Sequence, residues 1–361
     1  MTTITPCLQV VRYSIYMPSP TFPQPVVIIP NLNGDEELLD AVKSLTEQSL
    51  APYIIVVDNA STDDSVEKLE RKYPDVEIIR NRRNEGYAGG VNPGFRRAIE
   101  LGAEFAAPFN DDAVADKRWL KQMVEFMQGN SHFGAAAPKV VSADKERLDS
   151  TAECYTIWGL PYPRGRREYD THKYDTQLDI FAASGAACIY RIKALQEVGL
   201  LDEDFFAYYE DVDLSFRLQL AGWKVAFVPG SVVYHHIGMT SSRTKGFTTY
   251  QTMKNLPLLW YKNVPKQYFW QVGRRLFLAQ ILFFGRAVTR GQGWVACKGA
   301  VKSGLLIIKK HGQRKRIQRS RKVTDEYIWK MIVHDLPPNA AALRQVRAMW
   351  RKLMRRNGAD E

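Results

Sequence analysis

Two stretches of this 361-residue chain hold side chains whose types and spacing could do chemistry together. The first is Ala106 to Val114, an apolar run that stops on Asn110-Asp111-Asp112. Adjacent carboxylates repel, so keeping both ionised calls for a cation or strong hydrogen-bond donors beside them. At the carboxyl end of a buried strand such a pair sits where open α/β sheets bind their ligands. Taken alone it reads more readily as a solvated turn in which one Asp caps the next helix, and it is the surrounding segments that turn the reading toward chemistry. The second stretch, Gly199 to Leu214, packs Asp202, Glu203, Asp204, Glu210, Asp211 and Asp213 among aromatic residues and runs into an amphipathic helix ending at Gly222. Glu210 and Asp211 fall at the start of that helix, where the dipole favours carboxylates, so one of them is accounted for as a cap. An acid next to Tyr208 and Tyr209, partly desolvated and held still, is also what a general base requires. A third piece, Ser231 to His236, ends on two imidazoles that are either core residues or ligands.

These residues must be positioned by alternating strands and helices. Apolar runs predict strands at Val26 to Pro30, Tyr53 to Asp58, Val76 to Arg80 and Phe105 to Asn110. Between them, helical spacing covers Glu36 to Gln48, Ser65 to Tyr73 and Asn92 to Leu101. This β-α-β-α order predicts an α/β fold with a mostly parallel sheet flanked by helices. Trp119 to Gln128 reads as a further helix, and Ala135 to Val141, Lys224 to Val228 and Ser231 to His236 as extended chain. Residues 142–179, rich in Tyr, Pro and Arg, read as an irregular insertion over the site.

Two more strand ends carry polar clusters. Asp58 opens Asp58-Asn59-Ala60-Ser61-Thr62-Asp63, suited to a polar ring or a ribose, or to a plain structural turn. Asn84 to Asn92 is rich in glycine, which lets backbone amides approach an anion at a helix start. It fits neither G-x-x-x-x-G-K-[ST] nor G-x-G-x-x-G, so an ATPase and a dinucleotide oxidoreductase are not supported.

Charge divides the chain. Residues 241–361 hold 26 Lys and Arg against 5 Asp and Glu, while residues 1–240 hold 24 against 34, within a net charge of +11. The basic part points to a polyanion, either an anionic membrane surface or nucleic acid. No nucleic-acid-binding motif is present, and the aromatics sit in apolar runs, so no nucleic-acid partner is expected. The longest uncharged stretch of this region, Leu276 to Gly285, is far shorter than the ~20 residues a bilayer crossing needs. Basic amphipathic helices with Trp and Tyr, followed by the polybasic run His311 to Lys322, suit a headgroup layer, at roughly 1 kcal/mol per charge near an anionic leaflet. The alternative is a set of helices packed on the rest of the protein with a solvated basic face. Helices at Asp325 to Val333 and Ala340 to Met354 are candidates for self-association, making a homo-oligomer possible. Cys7, Cys154, Cys188 and Cys297 are widely spaced, suggesting neither a zinc site nor a disulfide framework and fitting a reducing cytosol. Residues 1–25 read as an irregular, proline-rich leader rather than a signal peptide.

Taken in order, Ile28 to Gly34, Val57 to Asp63, Asn84 to Asn92, Asn110-Asp111-Asp112, Gly199 to Asp213, Ala221-Gly222-Trp223 and Tyr234-His235 resemble the inverting family 2 glycosyltransferases with a GT-A fold, in the rhamnosyltransferase-like branch. The resemblance spans about residues 26–241 and implies a nucleotide-sugar half at 26–115 and an acceptor half at 116–241, with 242–361 as an added basic helical region. It implies that the nucleotide-diphosphate sugar meets Pro30, Asn31, Asn33, Asp58, Asn59, Ser61, Asn84, Gly86, Asn92, Asn110 and Asp111, with Asp58 at the base and Asp111 at the ribose. Asp112 is then the ligand of a divalent ion, Mn2+ or Mg2+, and His235 completes the metal or diphosphate shell, with His236 its rival. Asp211 is the implied catalytic base, with Glu210 and Tyr209 on the acceptor side. The first acid of the family's D-x-D site is Asn110 here, which leaves the ion fewer carboxylates.

The expected reaction is metal-assisted single displacement onto a glycan or polyprenyl-linked glycan, in cell-surface polysaccharide synthesis at the cytosolic face of the membrane. dTDP-rhamnose is the first donor expected. UDP-galactofuranose, UDP-glucose and UDP-N-acetylhexosamine are alternatives, as is a non-catalytic sugar-binding scaffold.

Overall fold

The computed structural model describes residues 24–235, 245–338, 340, 341, 343–345 and 347. Most of the expected leader, together with Cys7, His236 and most of the helix expected over 340–354, lies outside the described residues. The first half alternates as read: β1 (Val26–Asn31), α1 (Asp35–Thr46), β2 (Tyr53–Asp58), α2 (Ser65–Lys72), β3 (Glu77–Arg80), α3 (Gly86–Leu101) and β4 (Phe105–Pro108). Then follow β5 (Ala113–Ala115), α4 (Trp119–Gly129), β6 (Phe133–Ser142), β7 (Leu148–Ser150), β8 (Glu153–Tyr155), β9 (Pro161–Pro163), β10 (Asp179–Ile180), β11 (Ile189–Arg191) and α5 (Ile192–Val198). The acidic segment leads through a short 3-10 turn (Glu203–Phe205) into α6 (Glu210–Leu220) and β12 (Lys224–His235).

Strand order is β10-β12-β6-β11-β4-β1-β2-β3, with β5 added to β12 and β7 to β6. β3, β2, β1 and β4 run parallel, and the three inner ones, β2, β1 and β4, are apolar on both faces, while the edge strand β3 begins on Glu77 and ends on Arg80. Alternate residues serve opposite layers: Val27, Ile29, Ile54 and Val56 pack against α1 and α4, and Val26, Ile28, Ile55 and Val57 pack against α3, α5 and α6. β11 runs antiparallel to both β4 and β6, while β12 is parallel to β6. The sheet is thus mixed but mostly parallel, and its direction changes beside the end of β4, where Asn110 to Asp112 emerge.

Three expectations need correction. The glycine-rich segment is not a loop before the helix: α3 begins at Gly86, so Gly89 and Gly90 lie in its opening turns. A Cβ at Gly94 would collide with Ile28 and one at Gly90 would press on Pro30, so small residues let α3 lie close on β1. The two strands expected around residue 230 are one long strand with a register shift between Val228 and Val232, across Pro229-Gly230, where proline cannot donate to the ladder. Residues 142–179 are not wholly irregular, since they supply β7 and the β8-β9 hairpin.

The C-terminal region forms α7 (Phe247–Asn263), α8 (Lys266–Thr289), α9 (Gly293–Lys309), α10 (His311–Arg319) and α11 (Asp325–Met331). Leu258, Leu259, Val272, Leu306, Ile328 and Ile332 share one core with Phe205, Val212, Phe216 and Leu220. Each such aliphatic side chain stabilises the contact by roughly 1.5–3 kcal/mol relative to exposure. The region is therefore a layer over α6 rather than a separate appendage. α11, expected to be available for self-association, is used internally: Tyr327 donates its hydroxyl to Gln219 and Val333 bridges to Thr156. No helix among the described residues is long and apolar enough to cross a membrane.

Candidate active site

The donor side is a lattice of short polar side chains at the ends of β1, β2 and β3. Asn31 donates to Ser61 (3.0 Å) and Ser65 (3.2 Å). The Asn33 side-chain carbonyl collects the backbone N–H groups of Thr62 and Asp63, and Asp58 accepts from the Ser61 N–H at 2.9 Å. Asn59 is buried, donating to Asn84 and the Gly86 carbonyl and accepting from Asn81 and the Glu85 N–H. These bonds stop the two loops from collapsing, while the Asn31 Oδ1 is left buried with no protein donor. Pro30 backs the lattice by packing on Gly90.

Two residues expected to touch the donor are committed elsewhere. Asn92, on the far side of α3, donates to the Leu201 carbonyl and Glu203 and accepts from the Leu201 N–H, which ties α3 to the acidic segment. Gly86 has φ +71°, and a Cβ there would collide with the Phe206 carbonyl, so this glycine admits the acidic segment rather than an anion.

Beyond β4, Asp111 is pushed up to about 7 by burial and then by the Asp112 charge, and it lies 3.5 Å from the Leu32 N–H. Asp112 Oδ1 lies 3.1 Å from His235 Nε2, which β12 delivers from the other side. His235 Nδ1 lies 2.9 Å from Asp149, a residue absent from the sequence reading, and Asp149 is paired in turn with Arg166 at 3.1 Å. Burial acts to lower His235, but the two carboxylates outweigh it and hold the imidazole up at about 9.

These residues fit a divalent ion once the imidazole gives up its Nε2 proton, the ion then taking the place of that proton between His235 and Asp112. Two adjacent ligands on an octahedral ion with bonds of ~2.1 Å are ~3 Å apart, close to the Asp112 to His235 separation. The Asn110 side-chain nitrogen, not its oxygen, lies 3.1 Å from the same Nε2, and its Oδ1 is buried without a donor. Asp149 is placed as the partner that a metal-bound imidazole uses at its other nitrogen. A second trio, Asp170, His172 and Asp175, also brings ligating atoms together. There the Lys139 ammonium already sits 2.7 Å from Asp170 and 3.1 Å from Asp175, making the trio a structural staple.

The acceptor side is built around strained backbone. Phe206, Tyr208 and Tyr209 all have φ between 65° and 72°, at roughly 1–3 kcal/mol each for a non-glycine residue. The α7 residue Asn255 holds them by donating to the carbonyls of Phe205 (3.0 Å), Ala207 (2.9 Å) and Tyr208 (2.9 Å). Lys254 adds a bond to Phe205. Tyr209, with its phenol raised to about 12 by burial, then leads into α6 and its first residues, Glu210 and Asp211.

Burial and then the Asp211 charge push Glu210 up to about 8, and its Oε2 is buried with no donor. Burial raises Asp211 as well, opposed by the N–H groups of Gly185 (2.9 Å) and Val212 (2.8 Å) that hold both its oxygens. Glu153, likewise missed from sequence, is raised well above the usual range by burial and by Asp211, with Asp149 adding to the effect.

One segment joins the two acidic sets. The Gly185 N–H donates to Asp211, and the neighbouring Ala186 carbonyl accepts from the Asn110 N–H at 2.9 Å. Tyr87, from α3, donates to the Gly185 carbonyl at 2.5 Å, and its phenol is raised by burial with smaller contributions from Glu210, Asp211 and Asp111. Asp112 and Asp211 thus stand on either side of one turn of chain, with Glu153 facing both Asp149 and Asp211. Such an arrangement has the chemistry to receive a cation at one end and to take up a proton at the other.

Residues 26–199 match the sequence model of Glycosyl transferase family 2. The chain is 26% identical over 240 residues to N-acetylglucosaminyl-diphospho-decaprenol L-rhamnosyltransferase of Mycobacterium tuberculosis, covering 61% of this chain and 78% of that protein. It is also 26% identical over 245 residues to dTDP-rhamnosyl transferase RfbF of Shigella flexneri, covering 65% and 79%. Among solved structures it is similar to GalNAc-T7 with UDP, GalNAc and Mn2+ (TM-score 0.52, 17% identity, 68% of this chain and about half, 48%, of that one). It is similar as well to S. aureus TarS 1-349 in complex with UDP-GlcNAc (TM-score 0.52, 15% identity, 87% of this chain and 94% of that one). Likenesses at this identity speak for the fold, and that fold is GT-A. The family match lies over the strands and loops that carry Asp58, Asp111 and Asp112: residues 26–199 form a glycosyl transferase family 2 domain, and the protein is a glycosyltransferase.

Proposed function

We propose that this enzyme transfers L-rhamnose from dTDP-rhamnose to a hydroxyl of a lipid-linked glycan, with inversion at the anomeric carbon. The observation that carries the reading is the Gly185-Ala186 segment, which sets the Asp112 and His235 pair and the Asp211 carboxylate around one turn of chain. The names of the two rhamnosyltransferase relatives support the donor, and the diphospho-decaprenol acceptor in the name of one supports a lipid carrier.

In this reading Asp58, Ser61 and the Asn31 side-chain carbonyl orient the nucleotide, and Asp111 meets the ribose. Asp112, His235 and Asn110 hold Mn2+ or Mg2+, which when bound offsets negative charge on the departing diphosphate. Asp211, raised by burial and fixed by two backbone N–H groups, takes the proton from the acceptor hydroxyl as that oxygen attacks the face opposite the leaving group. Glu210, protonated at neutral pH, adds no second negative charge beside the base. We place the enzyme at the cytosolic face of an anionic membrane, where a lipid-linked acceptor is held.

The test is a panel of nucleotide sugars in thermal unfolding with and without Mn2+, followed by NMR of the product's anomeric centre. dTDP-rhamnose should stabilise most, and more with Mn2+, because a ligand bound only by the native state raises apparent stability. Stabilisation by UDP sugars alone removes the donor assignment, and retained anomeric configuration removes the single displacement.

A further inference from the structure

α8 and α9 carry the same outward pattern. On α8, Trp270, Phe277, Ile281 and Phe284 are exposed, and on α9 so are Trp294, Val301, Leu305 and Ile308. In both, the second, third and fourth residues follow the Trp by 7, 11 and 14 positions, offsets that return to one face of a helix. Val272, Leu276 and Ala279 on α8, and Ala296, Ser303 and Leu306 on α9, are buried on the opposite side. Among the described residues nothing covers the outer stripes: Trp270 is 72% exposed, Trp294 70% and Ile308 75%.

Cations sit along these stripes. Arg274 and Lys298 each follow their Trp by one helical turn, and Lys298 Nζ lies 5.4 Å from the centre of the Trp294 ring. From Leu214 to Thr324 the sequence contains no Asp or Glu. Lys309 and Lys310 are paired with Asp204 and Asp202 of the acceptor side. Among the described residues no ion pair engages Arg274, Arg286, Arg290, Lys298 or Lys302. A cleft of ≈ 400 Å³ opens on α9, with Trp294, Val301 and Leu305 as apolar wall and Lys298 and Lys302 as two ammonium groups.

We propose that the outer face of the α8-α9 hairpin is the surface by which this enzyme docks on an anionic phospholipid bilayer. The inference rests on the membrane association in the reading above and names the face that makes it. Exposed Trp, long aliphatic and Phe side chains at helical spacing, flanked by cations, are the composition of helices that lie in a headgroup layer. The α9 cleft suits a phosphate headgroup, with its charge between the lysines and the upper acyl chain along Val301 and Leu305. A second copy of this chain suits the face poorly, because a two-fold interface sets each basic row against its own likeness. α9 packs on α7, whose Asn255 and Lys254 hold the strained backbone before Glu210, so a docked hairpin fixes the height of the acceptor site above the bilayer.

The experiment is flotation of the full-length protein with vesicles of phosphatidylcholine alone or mixed with phosphatidylglycerol, at low and high salt. It is repeated on a quadruple variant, Trp270→Ser, Phe277→Ser, Trp294→Ser, Leu305→Ser, and on Lys298→Glu, Lys302→Glu. Thermal unfolding is the folding control, since all these side chains are exposed. Binding to the mixed vesicles that weakens with salt, and falls at least tenfold in both variants at unchanged thermal stability, supports the proposal. Absence of binding by the unsubstituted protein overturns the membrane association itself. Equal binding by the variants overturns only the assignment of the face. Sedimentation showing a dimer that the quadruple variant converts to monomer, without vesicle binding, gives the face to a second copy and overturns the proposal.

Discussion

The two sides of the cleft are held in shape by different means. On the donor side, side chains from the ends of β1, β2 and β3 satisfy one another over short distances, and this local lattice holds Asn33, Asp35 and Ala60 at φ between 42° and 64° without help from another region. On the acceptor side, three aromatic residues sit at positive φ, two adjacent buried carboxyl groups have raised pKa values, and Asn255 and Lys254 keep the segment in place from α7. Both sides hold strained backbone, but the side proposed to bind the nucleotide is braced from within its own loops, and the side proposed to take a proton is braced from the C-terminal helices.

Replacing Asp211 with Asn separates the two sides most sharply. It removes the proposed base and leaves the donor lattice untouched, so kcat should fall by about 10²–10⁴ while nucleotide-sugar affinity, measured by calorimetry, changes little. A parallel collapse of affinity would mean that the sides are not independent.

Lys262→Ala tests what supports the acceptor side. Lys262 is fully buried between Asp202 (2.5 Å) and Asp213 (2.8 Å), and Asp213 also binds Arg217 and Asn263. Burial disfavours the Asp202 charge, but Lys262 and Lys310 hold its pKa well below the usual range. Loss of one partner of such a pair costs about 3–5 kcal/mol. Hydrogen exchange should show α6 and α7 opening while β1, β2 and β4 keep their protection; uniform loss would erase the contrast.

Glu210→Gln should act in the opposite direction. Glu210 in the folded protein titrates near 8 against an ordinary 4.5. As pH rises, the unfolded chain gives up this proton first, so the folded state is progressively disfavoured from about 4.5 to about 8 and carries the full penalty above that. The Gln variant should therefore match the unsubstituted protein near pH 4.5 and unfold at higher temperature by pH 8, by an amount on the order of a few kcal/mol. A difference that does not vary with pH would remove the raised carboxyl.

How much of this was legible in the sequence follows the same division. β1, β2 and β4 were readable because parallel strands buried on both faces are continuous apolar runs, and Asp58, Asn110, Asp111 and Asp112 followed as their ends. The start of α3 was misplaced because glycine is a poor helix former, and only the packed fold shows that the missing side chains make room for β1 and Phe206. Asp149 and Glu153 were missed because they sit in a segment without periodicity and become part of the site only when β12 brings His235 to Asp149. Asn92 was misjudged for a related reason: its partners are Leu201 and Glu203, more than a hundred residues away. The basic region was read as helical, and it is, but the ammonium that enters the core was hidden among many other lysines.

Lys262 has a meaning for the history of the molecule. A tether attached by a linker can be lengthened, exchanged or lost without harm to the domain that it serves. Here the C-terminal helices neutralise two aspartates inside the catalytic unit, so any exchange of that region must keep a cation at this point or lose the aspartates as well. Lineages of this enzyme should then vary freely along the outer stripes of α8 and α9 while the lysine and its two acids change only together.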